Sequence, residues 1–545
     1  MKKDAWLRTV LLYSPLLLCV GIMLPRLISP QFGFFDDGVV LTTAQRVWAG
    51  QWHIADDTYH GRLRPAYWLY YALVYRIFGQ QPFWFFFGNL VLWLGITFCL
   101  IRLALALGMN RKSAWVTGLT FVIAGPVLEN IYTLSKPELL QGLLILLVLL
   151  TCSLYIRLRA WYWKTALFLV PVALVFLACA AKETAILLAP AALISLMVNG
   201  FWFRITKRPD HPSVGHRLAF WWVALSGVLL YLIFHFIYLP EGLTSTGYAS
   251  QFNFSLKWLL PKARLWGDWL LRDYLYLVPI GVTSLFVILR KSQRDFLPFL
   301  VEGLAWCALW LGVYIPWVYT QEYYLFPLAL GAALLCGLFF SLNLELLQRA
   351  TPMRFVAWGG LVLSGLLLLL TLPNQVTNGR LQLATDRANA DMLAFVVKHA
   401  PQGSTVWINI NPPNEYVSEF SIWVTQLENR PDLNVDYFHS QSLAAAQAQD
   451  GEVWIVSPFM ENLFYPSVRV GMTELPTRQW NETLDQYLAG RGEQVGLVRQ
   501  SFTSSNLDAL RLFCPLARTF SYCNVPHVPL DQRVFAYGWK IYRLP

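Results

Sequence analysis

Eleven apolar stretches, all within residues 10 to 373, decide what this chain can fold into. They fall at 10–29, 83–107, 113–131, 138–156, 164–181, 184–203, 218–238, 272–290, 296–318, 323–343 and 354–373. Each is near the ~20 residues that carry a helix across a hydrocarbon core of about 30 Å. The first lacks a small-residue cleavage site and is too long for a signal peptide, so it is expected to be retained. Only 14% of residues are charged, against about a quarter in soluble domains. The sequence therefore predicts a polytopic α-helical membrane protein.

The loops between the stretches alternate in charge. Lys2, Lys3, Arg8, Arg102, Arg111, Lys112, Arg157, Arg159, Arg204, Lys207, Arg208, Arg290, Lys291 and Arg349 fall on one side. Asp36, Asp37, Asp56, Asp57, Glu129, Glu138, Glu183, Asp268, Asp273 and Glu322 fall on the other. Basic loops mark the cytoplasmic face. The expected topology is a multi-pass protein of the inner (plasma) membrane with its N-terminus in the cytoplasm. The net charge of +10 reports that topology, and no basic run interleaved with aromatics points to nucleic acid.

An odd number of crossings puts residues 374–545 on the outer, periplasmic or extracellular, face. A helical period over 383–399 and β-like runs at 405–410, 453–456 and 535–542 predict an α/β domain there. The domains are thus 1–373, with a long first external loop at 30–82, and 374–545. Cys514 and Cys523 are the only cysteines of the second, and a pair outside the cytoplasm reads as one disulfide. Residues 258–276 mix Trp, Leu, Arg and Asp at helical spacing and read as a helix lying in the interface.

External loops as long as 30–82 are generally functional. A carboxylate beside hydrocarbon is costly unless solvated, paired or used. Asp36 and Asp37, flanked by Phe35 and Gly38, therefore have two readings. One is a general base whose pKa burial raises; the other is an N-cap of the helix starting near Val39. Further turns on the same face carry Lys136 and Glu138, Lys182 and Glu183, and Glu322 with Tyr323. With Arg62 and Arg64 they form a set suited to an anionic lipid head group, a structural ion pair being the competing reading. His53, Asp57 and His60 are spaced to hold a divalent metal if helical; solvated loop residues are the bland alternative. Within the stretches, Glu302 and His235 are the notable charge-capable residues.

Five short motifs then stand in order on one face: Phe35-Asp36-Asp37, Arg64-Pro65-Ala66-Tyr67-Trp68, Lys136-Pro137-Glu138-Leu139-Leu140, Ala181-Lys182-Glu183-Thr184 running to Pro190, and Glu322-Tyr323-Tyr324-Leu325-Phe326-Pro327. In these the membrane region resembles the GT-C superfamily of integral-membrane glycosyltransferases. It looks closest to the branch of protein O-mannosyltransferases and the aminoarabinose transferases that modify lipid A. That resemblance implies a GT-C-like helical domain and a polyprenyl-phosphate-linked sugar donor, undecaprenyl phosphate in a bacterial-type cell. The acceptor would be an envelope glycan, lipid or protein. Asp36 would deprotonate the acceptor hydroxyl, Asp37 would position it, and Lys182, Arg64 and Lys136 would stabilise the departing phosphate, with inversion. No cofactor is certain; a divalent metal stays open. So do a ligase or polymerase using a diphosphate-linked glycan, a lipid or sugar transporter or flippase, and a non-catalytic scaffold.

Overall fold

The computed structural model describes residues 2–34, 36–53, 62–155, 161–206, 214–238, 252–288, 296–318, 321–348, 352–409, 414–438, 452–461, 488, 492–503 and 534–544. Among the described residues, each of the eleven apolar stretches is largely helical. In chain order these are α1 (Lys2–Leu12), α2 (Ser14–Ile28), α3 (Asp37–Trp48), α4 (Pro65–Phe78), α5 (Pro82–Ala106), α6 (Arg111–Val122), α7 (Gly125–Tyr132), α8 (Glu138–Tyr155) and α9 (Trp161–Ala181). There follow α10 (Leu188–Thr206), α11 (Val214–Tyr238), α12 (Leu256–Tyr274), α13 (Leu277–Ile288), α14 (Leu297–Tyr314), α15 (Phe326–Gln348), α16 (Met353–His399) and α17 (Asn414–Ile422).

Among the described residues, five helices are long and apolar enough to cross a membrane, or up to eight if each bent pair is one crossing. Three shorter apolar helices make up the remaining stretches. The bends have a common cause. Proline lacks an N–H and its ring excludes the carbonyl four residues earlier. Pro15 follows the 46° break of α1 and α2, Pro126 the 54° break of α6 and α7, and Pro279 the 84° break of α12 and α13. The near-right angle at the last break turns α12 across the end of the helical layer, as its mixed composition predicts. Its Leu256 and Leu260 are exposed while Trp266 is buried.

The expected boundary at 373/374 is crossed by one helix. The 47 residues of α16 span about 70 Å at 1.5 Å each, so the helical period over 383–399 continues the last apolar stretch. The tail carries a five-stranded sheet of order β2-β1-β3-β5-β4. The strands are β1 (Thr405–Ile408), β2 (Asn434–Tyr437), β3 (Val453–Glu461), β4 (Glu493–Thr503) and β5 (Val534–Leu544). β1 runs parallel between β2 and β3, and β5 antiparallel between β3 and β4. α16 packs on this sheet. A Cβ at Gly496 would lie 2.8 Å from the Phe395 ring, so only glycine lets the helix sit this close. Trp539 Nε1 donates to Asn389 Oδ1 at 2.9 Å. The predicted α/β character and three predicted strands are present; β2 and β4 were not anticipated. Cys514 and Cys523 lie outside the described residues.

Candidate active site

The acid pair stands at the head of α3. α3 begins directly after Asp36, whose φ of 60° is left-handed. Such a conformation strains a residue with a Cβ, though Asp tolerates it better than most, and such strain gathers at functional sites. Asp36 holds the N-cap position, yet its side chain makes no capping bond. Among the described residues the cap comes from the tail: Gly38 N donates to Glu419 Oε2 at 2.9 Å and Val39 N to Glu419 Oε1 at 3.1 Å. The N-cap reading of the acid pair is therefore replaced by a partner some 380 residues away in sequence.

Asp37 faces inward. It is buried, and Gly33 N donates to its Oδ2 at 2.7 Å. Burial pushes its carboxyl up to about 7, against the pull of that hydrogen bond. Beyond Gly33 lies Asp386 of α16, ion-paired with Arg26 of α2. Arg26 also donates to Tyr132 O at 2.8 Å and sits 3.9 Å from the centre of the Phe86 ring. A Cβ on Gly33 would come within 2.9 Å of Asp386 Oδ1, so the loop backbone threads between two acids.

The cations stand on an aromatic floor. Tyr323 and Tyr324 open α15 through a 3-10 turn, and Tyr314 of α14 stacks on Tyr324 at 4.8 Å. Lys136 Nζ lies 4.2 Å from the centre of the Tyr323 ring and Lys182 Nζ 4.5 Å from that of Tyr324. A ring face attracts an ammonium more strongly once water is excluded, and both lysines are buried. Lys182 pairs with Glu138 at the head of α8. Burial lowers the pKa of Lys136, and the charges of Asp36, Glu138, Glu129 and Asp37 push it back up. Lys136 thereby ties the acid loop to the aromatic floor.

The other candidates divide. Arg64 stacks over Tyr67 and Trp68 at 5.3 and 5.4 Å, and Arg62 acts electrostatically on Tyr314 and Tyr324. Glu183 opens a 3-10 turn ahead of α10. Glu138 Oε2 and Glu183 Oε1 are buried without a hydrogen-bond partner among the described residues. Glu322 is ion-paired with Arg272 of α12 at 2.5 Å through Oε2, and its Oε1 is likewise buried without a hydrogen-bond partner among the described residues. His53 is exposed, Asp57 and His60 lie outside the described residues, and no metal-holding cluster of His, Cys, Asp and Glu occurs among those described.

Sequence reasoning missed Arg26, Asp386, Arg272 and Glu419. Arg26 did leave a signal, an arginine inside an apolar stretch; the others are ordinary charges until their partners are known. A cavity of about 730 Å³ lies elsewhere, lined by residues such as Leu146, Phe220, Glu302 and Leu334. Tyr314 is 12 residues beyond Glu302 on α14 (314 − 302), about 18 Å at 1.5 Å per residue, which puts the cavity toward the opposite end of the helices.

No protein-family model matches the sequence, and no curated protein matches it. Solved structures do. The chain is similar to the apo oligosaccharyltransferase of Archaeoglobus fulgidus at 12% identity and a TM-score of 0.51, covering 83% of this chain and 69% of that one. It is also similar to ArnT from Cupriavidus metallidurans bound to undecaprenyl phosphate, at 12% identity, TM-score 0.46 and 98% coverage of both chains. A third is the oligosaccharyltransferase AglB of A. fulgidus with an inhibitory peptide and a dolichol-phosphate, at 12% identity, TM-score 0.49, and 83% and 69% coverage. The chain shares its fold with the first of these.

Proposed function

We propose that the chain is a membrane glycosyltransferase that moves a sugar from a polyprenyl-phosphate donor to a hydroxyl acceptor at the outer face of the membrane. One observation carries this reading: the acid loop and two buried lysines on an aromatic floor converge at one end of a helical layer. Clustered cations beside an unsatisfied carboxylate suit a phosphate that gains charge as its ester breaks. Asp36, half-buried at the head of α3, accepts the acceptor's proton. The freed oxygen forms a bond to the anomeric carbon, and the bond from that carbon to the phosphate oxygen breaks with its electron pair leaving on the lipid phosphate. Lys136, Lys182 and Arg64 stabilise that phosphate, and Asp37 holds the loop geometry. Attack opposite the leaving group inverts the anomeric centre. Glu183 and Glu138 offer oxygens to sugar hydroxyls. The N-terminus is cytoplasmic and the tail covers the outer face, where a glycan, lipid or protein acceptor arrives.

The test is turnover by full-length protein in detergent with a panel of radiolabelled polyprenyl-phosphate sugars, read as release of free lipid phosphate. Transfer from one donor that is lost in Asp36→Asn supports the reading. Donors that neither bind nor turn over would move a transporter or scaffold ahead of it. A second reading, transfer of a diphosphate-linked oligosaccharide, is favoured by the likeness in fold to an oligosaccharyltransferase. Diphosphate-linked donors in the same panel separate the two, and a chelator arm reads metal dependence.

A further inference from the structure

The tail reaches the acid loop through one carboxylate. Glu419 is buried on α17, and its two oxygens accept N–H groups of the first turn of α3, from Gly38 and Val39. Those groups have no partner within their own helix. The approach is close: a Cβ at Gly38 would fall 2.5 Å from Glu419 Oε2, 3.1 Å from Trp423 Nε1 and 3.2 Å from Ile422 Cγ2. Around this contact the tail presents aromatics to the loop. Phe420 lies 5.6 Å from Phe34, and Trp423 lies 5.6 Å from Phe32 and 6.3 Å from Phe34. Asp36 has a left-handed backbone and no capping bond of its own, so the direction of its carboxylate depends on what holds residues 37–39.

We infer that Glu419 is a positioning residue. By capping α3 from the tail it fixes the left-handed turn at Asp36, and the tail is thereby part of the active site and not a separate module. This rests on the glycosyltransferase reading above for its catalytic consequence, but the cap is testable without it. Bringing a third carboxylate beside Asp36 and Asp37 is electrostatically unfavourable. Burial and both aspartates push the Glu419 carboxyl well above its ordinary range, opposed by the two N–H bonds.

The experiment compares full-length wild type, Glu419→Ala, Glu419→Gln and Gly38→Ala in detergent. Hydrogen exchange by mass spectrometry reads peptides covering residues 36–48 and, as a control for folding, peptides of β3 and β5. In Glu419→Ala the 36–48 peptides should exchange roughly 2- to 30-fold faster, the range a lost N-cap predicts, with the sheet unchanged. Gly38→Ala, which displaces the carboxylate from the other side, should match it. Glu419→Gln, which keeps one carbonyl acceptor, should lie between. With the donor that wild type turns over, kcat should fall by about 10- to 100-fold in Glu419→Ala while donor KM is kept. Unchanged exchange over 36–48 overturns the cap, and unchanged kcat with faster exchange overturns its positioning role. If wild type turns over no donor, the transferase reading falls, and the exchange arm alone still decides whether the tail holds this loop.

Discussion

Two carboxylate sites stand near opposite ends of the same helices, and they are built differently. Glu302 on α14 accepts from Ser195 at 2.5 Å, from Asn199, and from Arg217 at 3.0 Å. Its charge is met by side chains from two neighbouring helices. Glu138 also has a cation, Lys182, but its second oxygen has no partner among the described residues. Glu183 beside it is in the same state, and the Lys136 ammonium stands over a tyrosine ring. Unsatisfied buried oxygens are expensive for a fold. Where one end of a bundle satisfies its acid and the other does not, the first reads as structure and the second as a site awaiting a ligand.

The strongest way to break that comparison is Asp36→Asn. If the acid-loop end is catalytic, loss of a general base should lower turnover by about 100- to 10,000-fold with expression and melting temperature kept. Near-normal turnover of a donor would remove Asp36 from the chemistry. Lys182→Ala should be costly in a second way. It strands the Glu138 charge in a buried site, a loss of about 3–5 kcal/mol for a broken pair. Adding Glu138→Ala should restore most of that stability without restoring activity. Recovery of both in the double variant would make the pair an ordinary ion pair with no part in transfer.

How much of this was legible follows from how far apart the partners are in the chain. The apolar helices could be read because runs of about twenty mostly apolar residues are local in the chain; their bends were not read, although Pro15, Pro126 and Pro279 stand at them. Asp36, Asp37, Lys136, Glu138 and Lys182 could be read because charge in a turn beside hydrocarbon is conspicuous. Glu419 and Asp386 could not. They sit in polar stretches where an acid is unremarked, and their partners Gly38 and Arg26 lie 381 and 360 residues away. β2 is short and mostly exposed, and β4 carries a glycine amid its run, so neither shows the alternation that marks a strand. Burial separates the acid pair in a way the sequence does not show: Asp37 is buried, while Asp36 is only half-buried.

That burial gives the acid end a pH signature. In the folded chain Asp37 titrates at about 7, against an ordinary value of 3.8. Between those values the native state holds a proton that the unfolded state has released, so stability falls as pH rises from about 4 through about 7. From pH 5 to pH 8 the loss from this group is on the order of 2–3 kcal/mol. Melting temperature in detergent should fall over that range, and Asp37→Asn should flatten the fall. An identical slope in the variant would mean that another group sets the pH dependence.

The mildest effect belongs to the satisfied end, and it is the control on which the comparison rests. Glu302→Gln keeps an oxygen for the donors from Ser195 and Asn199, and interhelical hydrogen bonds in a membrane are worth only about 0.6 kcal/mol each. The charge it removes had been facing Arg217, whose side chain remains 28% exposed and can turn to water. The expected loss is therefore about 1 kcal/mol, with kcat and KM for the donor unchanged. Glu302 lies some 18 Å along α14 from Tyr314, too far to touch a sugar held over the lysines. A large drop in turnover with stability intact would show that a fully bonded carboxylate can also serve the reaction, and bonding state would then no longer separate the two ends.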